Sequence, residues 1–117
     1  MERLAEPDTE VVARVLKKEV GFEERLVGYL VRERSGPMAK SLYSFAEVCD
    51  FLHDHLPVLQ FEELTRWLRS VMKDEELALK VAEAGEQGHN DYERTQLIRE
   101  LMEERLRQCR KASNGMT

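Results

Sequence analysis

Apolar residues recur every three or four positions along this chain, which is the spacing of an amphipathic helix. Six segments show this pattern, over residues 9–20, 22–34, 45–56, 61–72, 75–84 and 91–110. Short polar or Gly-Pro stretches separate the segments, so neighbouring helices should pack antiparallel. The pattern predicts an all-α, single-domain bundle of five to six mostly antiparallel helices. A solenoid of helix pairs is the alternative fold, but the sequence carries no repeated signature.

Candidate capping residues mark where several of these helices begin. Asp8 or Thr9 precedes the first segment, and Asp74 precedes the fifth. Ser44 precedes the third segment with Glu47 three positions later, which is the spacing of a capping box. Their side-chain oxygens can accept hydrogen bonds from the free amides of a first helical turn. We therefore expect helices to begin directly after these residues.

The second predicted helix, over residues 22–34, contains Gly28 in its interior. Gly at such a position costs about 1 kcal/mol relative to Ala. The close approach of a neighbouring helix would compensate for that cost. Gly36 and Pro37 end this helix, because Gly is conformationally permissive and Pro lacks an amide hydrogen. Residues 38–43 are expected to be a connector, and Pro57 is expected to end the third helix.

Composition and charge exclude several classes of protein. The chain has 117 residues, of which 42% are hydrophobic and 35% charged, and its net charge is −5. We expect one folded domain over residues 8–110, a flexible lead over 1–7 and a disordered tail over 111–117. An acidic chain without a basic cluster does not favour nucleic-acid or anionic-membrane binding. Without a long apolar run or a signal-peptide pattern, we expect a cytoplasmic location.

Residues 49–55 concentrate groups that can ligate a metal. Cys49 and His53 are four positions apart, so on a helix they would share one face and could hold a transition metal together. Asp50 and His53 form half of the carboxylate-x-x-His arrangement of di-iron bundles, but the sequence supplies no convincing second half. Alternatively, Cys49 is a buried apolar residue and His55 lies beside the carboxyl end of its helix. A metal-binding helical bundle is therefore the second functional hypothesis.

The leading hypothesis is an interaction module, because the sequence contains no phosphate-binding loop, dinucleotide fingerprint or nucleophile elbow. An enzyme is disfavoured, and no catalytic residue or cofactor is predicted. Trp67, Phe51 and Tyr43 lie at or beyond the edges of their apolar stripes, where they would mark an interface or else complete the core. We expect a regulatory or accessory protein that docks a helical face on a protein partner or on a second copy, forming a homodimer. A small-molecule pocket between helices near Tyr29 and Trp67 is the third hypothesis.

Overall fold

The computed structural model of the chain describes residues 4–32, 36–53 and 57–114. Within these ranges the chain forms five α-helices and three β-strands. The helices are α1 Thr9–Val15, α2 Phe45–Phe51, α3 Phe61–Ser70, α4 Glu75–Gln87 and α5 Asp91–Asn114. The strands are β1 Leu26–Arg32, β2 Gly36–Leu42 and β3 Pro57–Val58, and a 3₁₀ turn spans Phe22–Glu24.

The all-α prediction is wrong, because the chain is a mixed α/β domain. The segment expected to form the second helix contains the 3₁₀ turn and β1, and most of the expected connector lies in β2. β1 lies between β2 and β3 in an antiparallel sheet. Gly36 begins β2 with φ of +70°, a left-handed conformation that Gly adopts without steric cost. Pairing in a sheet gives the backbone of both segments its hydrogen-bond partners.

The predicted helix starts are confirmed. Asp8 accepts a hydrogen bond from the Val11 amide at 2.9 Å, and Asp74 accepts one from the Leu77 amide at 3.1 Å. The Ser44 hydroxyl accepts a hydrogen bond from the Glu47 amide at 3.1 Å. The helix ends differ more from the prediction. α1 ends at Val15 and α2 at Phe51, earlier than expected, and the expected break before Pro57 falls at residues 54–56, outside the described residues.

The core lies between the sheet and the helices. α2 and α3 pack against the sheet, and α4 packs between α3 and α5. The completely buried hydrophobic residues come from β2 and from four of the helices: Leu42, Phe45, Val48, Leu64, Leu68, Leu77, Ala78, Val81, Ile98, Met102 and Cys109. No helix among the described residues is long and apolar enough to cross a membrane.

Candidate interaction surface

Two of the three aromatic residues expected at an interface lie inside the protein. Trp67 is 4% exposed, and its indole Nε1 donates a hydrogen bond to the Glu24 carbonyl at 2.7 Å. Phe51 is 2% exposed and ends α2 under the sheet. Tyr43 is half-buried, and its carbonyl accepts a hydrogen bond from the Val20 amide at 2.6 Å. The structure therefore does not bring these three side chains to one exposed surface.

Cys49 and His53 lie in very different surroundings. Cys49 is buried, and burial, followed by the nearby charges of Glu103 and Asp50, raises the pKa of its thiol to about 12. The thiolate is the form that binds metal, and this raised pKa leaves little thiolate at neutral pH in the protein without a metal ion. The His53 side chain is half exposed, and its Nε2 lies 3.0 Å from Oε1 of Glu103. Among the described residues, which exclude His55, no three His, Cys, Asp or Glu side chains form a metal-binding group.

A surface groove of about 360 Å³ lies between α1 and the end of α3. Two of its charged residues contact each other, because Arg14 pairs with Glu10 at 3.2 Å, and Arg14 also donates to the Val71 carbonyl at 2.9 Å. Neither Tyr29 nor Trp67 lines the groove. The pocket expected near those two residues is thus not this groove.

One face of the β1–β2 hairpin is covered along β1, where Leu26 and Gly28 are buried, and the opposite face is open at Tyr29 and Ala39. The Phe51 ring lies directly against Gly28, where an added β-carbon would come within 2.6 Å of it. Successive residues of a strand point to opposite faces, so Val27 and Tyr29 lie on the other side of the sheet. Tyr29 is 40% exposed there, beside the exposed Ala39 with which it pairs.

The 3₁₀ turn extends this exposed face beyond the strands. Phe22 is 66% exposed, and the Arg25 guanidinium lies 3.8 Å from the centroid of its ring. Arg25 Nε donates to the Ser41 hydroxyl at 3.1 Å, and Nη1 donates to the Phe22 carbonyl at 2.9 Å. Ser41 pairs with Val27 on the same side of the sheet as Tyr29. We call the resulting surface the hairpin face; its residues are Phe22, Arg25, Val27, Tyr29, Ala39 and Ser41.

Sequence reasoning missed this surface because it placed residues 22–34 in one helix instead of a 3₁₀ turn and a strand. The available signal for a hairpin was an alternating stretch followed by a turn. Val27 and Tyr29 alternate with Gly28 and Leu30, and Gly36 and Pro37 follow. It also missed Arg105, a buried charged residue on α5.

Comparison with known proteins assigns no function to the groove or to the hairpin face. No protein-family model, curated protein or solved structure matches the chain. The function is therefore argued from the contacts and chemistry of the hairpin face.

Proposed function

We propose that the protein is an interaction module with a regulatory or accessory role, and that it self-associates through the hairpin face. The observation that carries the proposal is the exposure of two aromatic rings on one surface, 66% for Phe22 and 40% for Tyr29. Protein interfaces are enriched in aromatic residues and Arg, and depleted in Lys, Glu and Asp. The hairpin face contains Phe, Tyr and Arg and has no carboxylate among its six residues.

A second copy of the chain fits this face. The net charge of −5 makes copies repel each other, and the absence of carboxylates on the hairpin face lowers that repulsion where the copies would meet. A two-fold axis brings the same patch of both copies together. Glu23 and Glu24 are exposed beside Phe22, at the rim of the patch, where they can pair with Arg25 of the second copy. The face therefore offers an apolar centre and complementary charges at its edge.

Substitution of Tyr29 by Glu tests the proposal. Tyr29→Glu places a charge at the centre of the face in each copy, so we expect the dissociation constant of the dimer to rise by about 30-fold or more, the effect of losing one interface hot spot. Light scattering and sedimentation over a concentration series measure this constant. Circular dichroism checks that the variant is folded.

Tyr92→Glu is the matched control. Tyr92 lies in the first turn of α5, is 75% exposed and does not belong to the hairpin face, so this variant should associate as the wild type does. A wild-type protein that stays monomeric at every concentration would refute the proposal. A Tyr29→Glu protein that dimerises as tightly as the Tyr92→Glu control would refute it equally.

The proposal includes a cytoplasmic location. Cys49 and Cys109 are buried and free, and free thiols persist in reducing compartments. Cell fractionation with an antibody against the chain tests this part separately.

A further inference from the structure

The segment before α1 is held by its main chain across α4 and α5. The Leu4 amide donates to Glu104 Oε2 at 2.8 Å, and the Leu4 carbonyl accepts from Gln108 Nε2 at 2.9 Å. The Ala5 amide donates to Glu76 Oε2 at 3.0 Å, and the Ala5 carbonyl accepts from Arg105 Nη1 at 2.8 Å. All four main-chain polar groups of two consecutive residues are therefore bonded to side chains.

The side chains that hold this segment are themselves fixed. Arg105 is 1% exposed and Asp74 is 3% exposed, and Arg105 Nε lies 2.8 Å from Asp74 Oδ2. Arg105 Nη2 also lies 2.8 Å from Glu76 Oε1, and Nη1 donates to Gln108 Oε1 at 2.9 Å. A planar guanidinium held by several partners presents its remaining donor in a set direction. The receiving groups are thus oriented for a carbonyl oxygen.

Leu4 and Ala5 differ in how far they are exposed to solvent. Leu4 is 4% exposed, whereas Ala5 is exposed. Main-chain bonds give affinity that does not depend on sequence, and a buried side chain adds selectivity. These contacts hold a main chain whatever its second side chain is, and they favour an apolar side chain such as Leu at the first position.

We propose that this surface is a binding site for a Leu-containing peptide segment of a partner protein, and that the Leu4–Ala5 segment is its internal competitor. We call it the Arg105 cleft; its residues are Asp74, Glu76, Glu104, Arg105 and Gln108. The site is separate from the hairpin face, so this proposal goes beyond the self-association proposed above. The carboxylates of Glu76 and Glu104 disfavour a ligand with an acidic residue in the place of Leu4.

The geometry also allows the internal segment to leave. Between Ala5 and the start of α1 lie only residues 6–8, of which Glu6 and Asp8 are exposed and Pro7 is half-buried. The contacts of α1 with the core come from Val11, Val12 and Val15, beyond this link. Release of Leu4 and Ala5 therefore does not require α1 to leave the core.

Weakening the internal segment in the full chain tests the proposal. Leu4→Asp places a carboxylate next to Glu104, so it should release the segment and open the cleft. The probe is a fluorescein-labelled peptide with the sequence of residues 1–8, and its anisotropy reports binding. We expect the Leu4→Asp protein to bind this peptide at least about tenfold more tightly than the wild type does, because the competitor is removed. A peptide with Asp in place of Leu should bind about 30-fold more weakly, the effect of losing one buried Leu.

Leu79→Asp is the matched control chain, because Leu79 lies on α4 and is 52% exposed. It should bind the peptide as the wild type does. The side-chain amide signal of Gln108 in NMR spectra should shift when the peptide binds. If circular dichroism shows that Leu4→Asp is unfolded, the milder Leu4→Ala serves in the same comparison.

Three results would overturn the proposal. The first is a folded Leu4 variant that binds the Leu peptide no more tightly than the wild type does. The second is equal binding of the Leu and Asp peptides, without a shift of the Gln108 signal. The third is a dimer that depends on Leu4 and not on Tyr29, which would assign the cleft to the same segment of a second copy. A wild-type protein that stays monomeric refutes self-association through the hairpin face and leaves the cleft proposal standing, so the failure of one proposal is distinguishable from the failure of the other.

Discussion

Gly28→Ala should destabilise the protein, because Phe51 occupies the space that a β-carbon would need. An ideal β-carbon on Gly28 lies 2.6 and 2.8 Å from two carbons of the Phe51 ring. Carbon atoms in good contact are about 3.5–4.0 Å apart, so the ring would have to move by about 1 Å. Phe51 is 2% exposed, and little free space is available around a side chain so deeply buried.

Two opposing contributions set the size of the effect. Overpacking of this kind costs about 1–3 kcal/mol. Replacing Gly by Ala also restricts the unfolded chain, which stabilises the folded state by about 0.4–1 kcal/mol where the backbone conformation suits Ala. Among the described Gly residues only Gly36 has a positive φ, so the backbone at Gly28 adds no penalty. From the middle of each range, about 2 and about 0.7 kcal/mol, the net expectation is a loss of about 1.3 kcal/mol.

Urea unfolding monitored by tryptophan fluorescence measures this loss. Trp67 is the only Trp in the chain and is buried, so its emission should report exposure on unfolding. Gly85→Ala is the matched control, because it makes the same chemical change in the interior of α4. The nearest atom to a β-carbon there is 4.0 Å away, on Phe61. Without a clash, the higher helix propensity of Ala should stabilise this variant by up to about 1 kcal/mol.

The opposite signs at the two positions make the reasoning refutable. A Gly28→Ala protein as stable as the wild type would show that Phe51 does not restrict this position. The double variant Gly28→Ala, Phe51→Leu provides a second check, because a smaller side chain makes room for the methyl group. Its loss of stability should be smaller than the sum of the two single losses by about 1 kcal/mol.

Three further predictions concern ionisable groups. Arg105→Met should cost about 3–5 kcal/mol in urea unfolding, because it leaves buried partners without their cation; a loss below about 1 kcal/mol would contradict the ion pair. Burial of Glu76 opposes its ionisation, but the Ala5 amide and the Arg105 guanidinium outweigh it and hold its pKa below the usual 4.5. The stability that Glu76 contributes is therefore present above pH 4.5 and is lost as the pH falls through the lower pKa of the folded state. The difference in unfolding free energy between the wild type and Glu76→Gln should narrow over that pH range. A difference that stays constant would contradict this. Burial raises the thiol pKa of Cys49 to about 12 and that of Cys109 to about 11. Above the ordinary pKa of 9.0 these thiols ionise in the unfolded chain before they ionise in the folded protein, so the free energy of unfolding should fall as the pH rises. Replacing both Cys by Ala should flatten that alkaline decline, and an unchanged decline would show that other groups cause it.

Local signals in the sequence predicted the helix starts correctly. Asp8, Ser44 and Asp74 each accept the expected hydrogen bond from an amide of the first turn. These bonds form between residues three positions apart, so no knowledge of distant parts of the chain was needed to predict them. The start of α5 at Asp91 follows from the same local chemistry, because Asn90 accepts from an amide three residues later at 2.8 Å.

The sheet could not be predicted in the same way, because its stability comes from pairing between segments. Tyr29 and Leu30 follow Leu26 by three and four positions, which is the spacing of one helical turn. The same residues also fit a strand that has apolar residues on both faces. Only the pairing of Leu26 with Leu42 across the hairpin decides between the two. The expectation of a close approach at Gly28 was correct, although the residue lies in a strand rather than a helix.

The Arg105 cleft did leave a signal that helical spacing could have detected. Arg105 is four residues after Leu101 and four before Cys109, both of which are buried on α5. A charged residue within an apolar stripe requires a buried partner. The sequence contains many carboxylates, however, and nothing local identifies Asp74 or the Leu4–Ala5 segment as that partner.

The bonds to Leu4 and Ala5 also have a consequence for the order in which the molecule folds. They join residues 71 to 104 positions apart, and closing so long a loop costs conformational entropy that contacts within a hairpin do not. The receiving side chains come together only after α4 and α5 have docked, so this segment should attach in the last step. On unfolding it should detach first, and the Leu4 and Ala5 amides should exchange with deuterium while α5 is still protected. A protease would then reach the start of the chain in a molecule whose helices remain folded.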